Sequence, residues 1–160
     1  MESSQVTRAS TLALIFRAAL FLAAASLAVY IPYKYATTLH AYEGSYAFLF
    51  PASGLLAIAG MWLAVKPQTA CDCSVPMRGG IGALSVLWMA TGVQCVKMLA
   101  AGVMNDPLPG SIAAFHMVAQ HVFLSLSLLT FAFFPQRMAR WLGVQADAKR
   151  DGPLTQESAG

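Results

Sequence analysis

Four uninterrupted apolar runs, at 11–31, 46–65, 81–104 and 112–134, dominate this 160-residue chain and restrict what it can fold into. Each approaches or exceeds the ~20 residues of helix needed to cross a bilayer core. The runs are continuous rather than alternating. That favours helices, whose backbone groups are satisfied within each segment, over a barrel. Hydrophobic residues make up 58% of the chain and charged ones only 11%, against about a quarter charged in soluble domains. The mean hydropathy is +0.60. The sequence therefore predicts an all-α, polytopic membrane protein: an antiparallel bundle of four transmembrane helices over 11–135, a tail over 1–10, and a second tail over 136–160 that is mostly disordered, above all from Gln145 onward.

The breaks between runs agree with that count. Pro67 and the Gly79-Gly80 pair bracket the second connection. Asn105-Asp106-Pro107 and Pro109-Gly110-Ser111 form the third, with Ser111 placed to cap the fourth helix, and Pro135 closes it. Ala19/Ala23, Ala24/Ala28 and Ser53/Ala57 with Gly60 permit close backbone approach between helices, and Pro51 is expected to bend the second one.

Basic residues are retained on the cytoplasmic side during insertion. Arg8, Arg17, Lys66, Arg78, Arg137, Arg140, Lys149 and Arg150 fall on one side and only Lys34 on the other, which places both termini in the cytoplasm. Tyr30, Tyr33, Tyr35, Tyr42 and Tyr46 gather at the outer boundary, and Trp62 and Trp141 at the inner one, where amphipathic rings favour the headgroup level. An alternative is a cleavable signal, since Arg8 and Arg17 precede an alanine-rich stretch. The run continues to Ile31 without a polar cleavage region, so an intact first helix is preferred. The net charge of +3 comes from the inner-side enrichment. It implies anionic lipid rather than nucleic acid as the partner.

Against this background, Gln94, Lys97, His116, Gln120 and His121 stand out inside the last two runs. At ~1.5 Å per residue, Lys97 lies roughly 10 Å and Gln94 roughly 15 Å below the outer boundary, His116 roughly 6 Å, and Gln120 and His121 roughly 12–14 Å. At ~100° per residue, Gln94 and Lys97 share one helical face, extended by Thr91. His116 and Gln120 share another, continued by Ser127. The two stripes are expected to face each other across the hairpin, whereas His121, about 140° from His116, joins that target only if the helix is distorted. An ion facing lipid costs at least about 2.5–3.5 kcal/mol at mid-bilayer, so Lys97 is expected to seek a partner. Glu43 is the preferred counter-ion over His40 and Asp106. The bland alternative is that Lys97 snorkels outward and the amides only join helices.

The chemistry open to such a group is limited. A two-histidine haem is disfavoured because histidine occurs in only one membrane run, leaving single axial ligation of a haem or a chlorin by His116 or His121; no cofactor is predicted. Cys71 and Cys73, in a cytoplasmic loop, are weak candidates for a soft metal ion such as Cu(I), and Cys95 is expected to pack as a small apolar residue. No nucleophile elbow, phosphate loop or paired-carboxylate motif is present. Three functions follow as expectations. The preferred one is an outer-half polar pocket that binds or acts on a small lipophilic molecule. In it Lys97, His116 and Glu43 would be the acid–base groups, and Gln94, Gln120 and His121 ligand contacts. The rivals are an accessory subunit packed against other membrane subunits, and a small metal or solute transporter.

Overall fold

The computed structural model describes the backbone of residues 2–37, 49–101 and 110–144. Glu43, His40, Tyr42, Tyr46, Asp106, the 105–109 turn and the 145–160 tail lie outside the described residues, as do the side chains of Arg8, Lys34, Tyr35, Cys95 and Ser111. The described chain is all-helical and contains no strand. Two stretches, Ser10–Tyr33 and Phe115–Phe133, are long and apolar enough to cross a membrane; Phe50–Val65 is apolar but shorter.

Helix α1 spans Glu2–Thr37 and continues through Pro32, so at ~1.5 Å per residue it is roughly 54 Å long. Leu20, Ala24 and Leu27, at i, i+4 and i+7, are fully buried along one stripe. The other faces are apolar too: Leu22 is 67% and Val29 72% exposed. A helix that is apolar all round belongs inside a large core or a bilayer. Helix α2, Leu49–Val65, lies along α1. The two approach closely at Gly60, where a Cβ would stand 2.8 Å from Ala24 Cβ and 2.7 Å from Leu124 Cδ1.

Arg17 joins the pair at the other end. Its Nε donates to the Ala64 carbonyl at 2.7 Å and its Nη2 to the Val65 carbonyl at 3.2 Å. The last carbonyls of a helix have no partner within it and carry the negative end of its dipole. A guanidinium from the neighbouring helix therefore satisfies groups that would otherwise need water.

The connection beyond α2 is more ordered than its prolines and glycines predict. Helix α3, Pro67–Cys71, is followed by helix α4, Val75–Ala100, which has Pro76 in its first turn and the Gly79-Gly80 pair inside it. Proline at a helix start forfeits an N–H that had no partner. The glycines cost about 1 kcal/mol each in a helix interior, a penalty the packing of α4 outweighs.

The fourth run is a single path of changing pitch. Helix α5, Gly110–Met117, opens into a π-helical segment, Val118–Leu124, and closes again as helix α6, Ser125–Phe133. Ser125 Oγ donates to the Gln120 carbonyl at 3.4 Å, adding a partner for that carbonyl in the widened turn. Helix α6 packs mainly on α4, and the π-helical segment mainly on α1. At Phe134 (φ −131°) the chain breaks, and Pro135 starts helix α7, Pro135–Trp141. Met138 and Leu142, one turn apart, are buried, so the second tail begins with a docked helix; Gly143, at φ +71°, turns the chain out of it.

Candidate functional site

The polar residues of the fourth run divide between two neighbours. His116 and Gln120, one turn apart, face α1. Gln120 is fully buried; its Nε2 lies 3.2 Å from His116 Nδ1 and donates to Ser26 Oγ at 3.4 Å, while Ser26 itself donates to the Ala23 carbonyl at 2.8 Å. An amide nitrogen can only donate, so Nδ1 is the acceptor in this contact. The His116 ring stacks on Tyr30, with centroids 4.8 Å apart and planes at 14°. Tyr30, expected at the headgroup level, is therefore only 7% exposed. Gln120 Oε1 is buried without a hydrogen-bond partner among the described residues.

His121 faces the opposite way, toward α4. Its ring stacks on Trp88 at 5.1 Å and 7° and lies directly over Gly92, where any Cβ would collide with it. Trp88 and Gly92 are one turn apart on α4, so the large ring and the missing side chain together make a seat for the imidazole. The π-helical segment distorts the helix at this point, yet His116 and His121 still have different partners.

Between α4 and this segment lies a cavity of about 450 Å³, within the ~300–1,000 Å³ range of small-molecule sites. Met89, Val93, Val96, Met117, Val118 and Val122 form its apolar wall, and Lys97 and His121 are its polar members. Lys97 is exposed. Neither Gln94, which is exposed, nor His116 nor Gln120 is among its described lining residues. The expected six-residue group is thus distributed over the cavity (Lys97, His121), the contact with α1 (His116, Gln120) and an exposed face (Gln94), with Glu43 outside the described residues. Thr91, placed on the Lys97 stripe, donates to the Trp88 carbonyl of its own helix at 2.8 Å.

Sequence reasoning missed Ser26, Tyr30, Trp88 and Gly92. The first two had a signal: Ser26 and Tyr30 are one turn apart near the outer end of the first run, the same spacing as His116 and Gln120. The second two had a fainter one, a glycine one turn after a tryptophan in an apolar helix.

On the inner side, Cys71 and Cys73 are half-buried free thiols packed on the core. Burial pushes the Cys71 thiol above its ordinary value of 9.0, helped by Asp72 and Cys73 and opposed by Arg78; burial raises Cys73 as well. The thiolate is the ligand, so metal capture by these cysteines would be coupled to proton release and favoured by higher pH. Among the described residues no group of three or more metal-ligating side chains converges.

The fold and these contacts define the class of the chain, an all-helical protein carrying apolar helices of membrane-crossing length. No protein-family model, curated protein or solved structure matches it.

Proposed function

We propose that this chain is a multi-pass membrane protein, a bundle of four antiparallel transmembrane helices with both termini in the cytoplasm, that holds a small lipophilic molecule in the cleft between α4 and the π-helical segment. The observation that carries the reading is the cleft: an apolar slot of about 450 Å³ with one lysine and one histidine at its surface. Sites for small molecules combine mostly apolar walls with a few placed polar groups. Binding is favoured over turnover, since His116 is engaged with α1 rather than lining the slot.

The membrane setting is supported by the large side chains left exposed, such as Leu14, Leu22, Val29, Phe115 and Phe133. The orientation is supported by the basic residues, with Arg17 seated at the end of α2 on the side of Lys66 and Arg78. Retention of the first helix is supported by Leu20, Ala24 and Leu27, which fill the core.

Solvent extraction and mass analysis of protein purified in mild detergent tests the cleft. A lipophilic molecule is expected to co-purify. Ala90→Trp, which fills the slot from its wall, is expected to reduce recovery roughly tenfold while leaving yield and helicity unchanged; each ~1.4 kcal/mol of lost binding is a factor of ten. No co-purified molecule, or equal recovery from Ala90→Trp, rejects the reading.

Thiol labelling tests the orientation. A membrane-impermeant maleimide should label Cys71 and Cys73 in inverted vesicles and not in intact cells. Because their folded-state pKa values are raised, the thiolate fraction at pH 7 is below that of a free thiol. Labelling should therefore be slower at neutral pH than that of a free thiol and accelerate as the pH is raised. Fast labelling in intact cells would invert the topology.

A further inference from the structure

The cleft between α4 and the π-helical segment has an asymmetry that its volume alone does not explain. Its described walls are methionine, valine, alanine and glycine, with His121 seated against Trp88 and Gly92, yet one lining residue, Lys97, is a cation. No carboxylate is among the described lining residues. An ammonium at the edge of an apolar slot in a bilayer pays for lost hydration unless an anion meets it. A lysine can lay its stem along apolar surface and keep its ammonium at the edge. One slot and one cation are complementary to one apolar chain with one anionic head.

We infer that the molecule held in this cleft is a single-chain acidic amphiphile, a long-chain carboxylate, with its chain along Val93, Val96, Val118 and Val122 and its head paired with Lys97 Nζ. The inference rests on the cleft being the ligand site proposed above and adds the ligand's charge and class. Hydrogen bonds between an ammonium and a carboxylate are charge-assisted. A two-chain phospholipid would match the charge but leave its second chain outside the slot. A neutral alcohol of equal length would fill the slot without engaging the lysine.

The test uses the full chain in phosphatidylcholine nanodiscs, with radiolabelled palmitate as the probe and palmitate, hexadecanol and phosphatidylglycerol as competitors. Palmitate should bind saturably and be displaced by unlabelled palmitate, far less well by hexadecanol or phosphatidylglycerol. Lys97→Met keeps the stem and removes the charge; it should weaken palmitate about tenfold or more, the order of one charge-assisted contact, and leave hexadecanol unchanged. Lys97→Arg should retain most of the affinity. Lys97 is exposed, so the variants test charge without disturbing the core. Equal binding of palmitate to wild type and Lys97→Met, hexadecanol competing as well as palmitate, or phosphatidylglycerol outcompeting it would each overturn the inference while the cleft remains a lipophilic site. Absence of binding by palmitate and hexadecanol alike would remove the cleft reading with it.

Discussion

Gly60→Leu is expected to destabilise the protein by about 2–3 kcal/mol net, an overpacking cost partly offset by better helix propensity. At ~2–4 °C per kcal/mol for a chain of this length, the Tm in mild detergent should fall by roughly 4–12 °C. The cause is local. A Cβ at Gly60 meets Ala24 Cβ at 2.8 Å and Leu124 Cδ1 at 2.7 Å. The leucine tip can rotate away, but the alanine methyl is one bond from the α1 backbone, so α1 and α2 would have to separate. Gly54 on the same helix is the internal control. Nothing lies within 4 Å of a Cβ there, and Gly54→Ala should raise stability by about 0.5–1 kcal/mol through helix propensity. If both substitutions moved Tm the same way, the close approach of α1, α2 and the π-helical segment would be wrong. The measurement is thermal loss of helical ellipticity.

Gly92→Val should be comparably damaging, and damaging to binding as well. A Cβ at Gly92 falls 2.8 Å from His121 Cβ and nearer still to the ring. The imidazole cannot withdraw easily, because Trp88 is stacked on it at 5.1 Å. The expected cost is about 2–3 kcal/mol, with loss of the co-purifying molecule, since Gly92 and His121 both line the cleft. The collision also predicts its own rescue. In the smaller pair Gly92→Ala and His121→Ala, the double variant should be more stable than the sum of the singles by about 1–2 kcal/mol, the coupling of residues in direct contact. Strict additivity of the two changes would show that the ring does not sit over Gly92.

Much of the helical architecture was legible because apolar runs must bury or meet lipid wherever they occur. The run at 46–65 ends with α2 at Val65, and Pro135 does interrupt the fourth run. Boundaries were less legible. Apolarity marks which residues avoid water, whereas a helix ends where backbone hydrogen bonding does, so α1 runs on to Thr37 and α4 starts at Val75. The docked helix α7 escaped because the segment is short and carries Arg137 and Arg140 beside Met138 and Leu142; what buries those two is a surface made elsewhere in the chain.

The polar residues of the last hairpin show the limit more sharply. Depth along a run follows from residue count alone, because the rise per residue is constant, and it put the polar groups of the hairpin in the same half of their two runs. Direction does not follow from count. Whether His121 shares the side of His116 depends on the pitch of the helix and on which neighbour leaves room, and the room is a missing Cβ on α4.

By itself, then, the order of residues determined an all-helical chain with membrane-length apolar segments, because run length and continuity are local properties of the chain. Only the tertiary structure decided that Lys97 shares a cleft with His121 while His116 and Gln120 turn to α1. That assignment depends on how closely helix backbones can approach, and the approach is set jointly by residues far apart in sequence, such as Gly60 with Ala24 and Gly92 with His121.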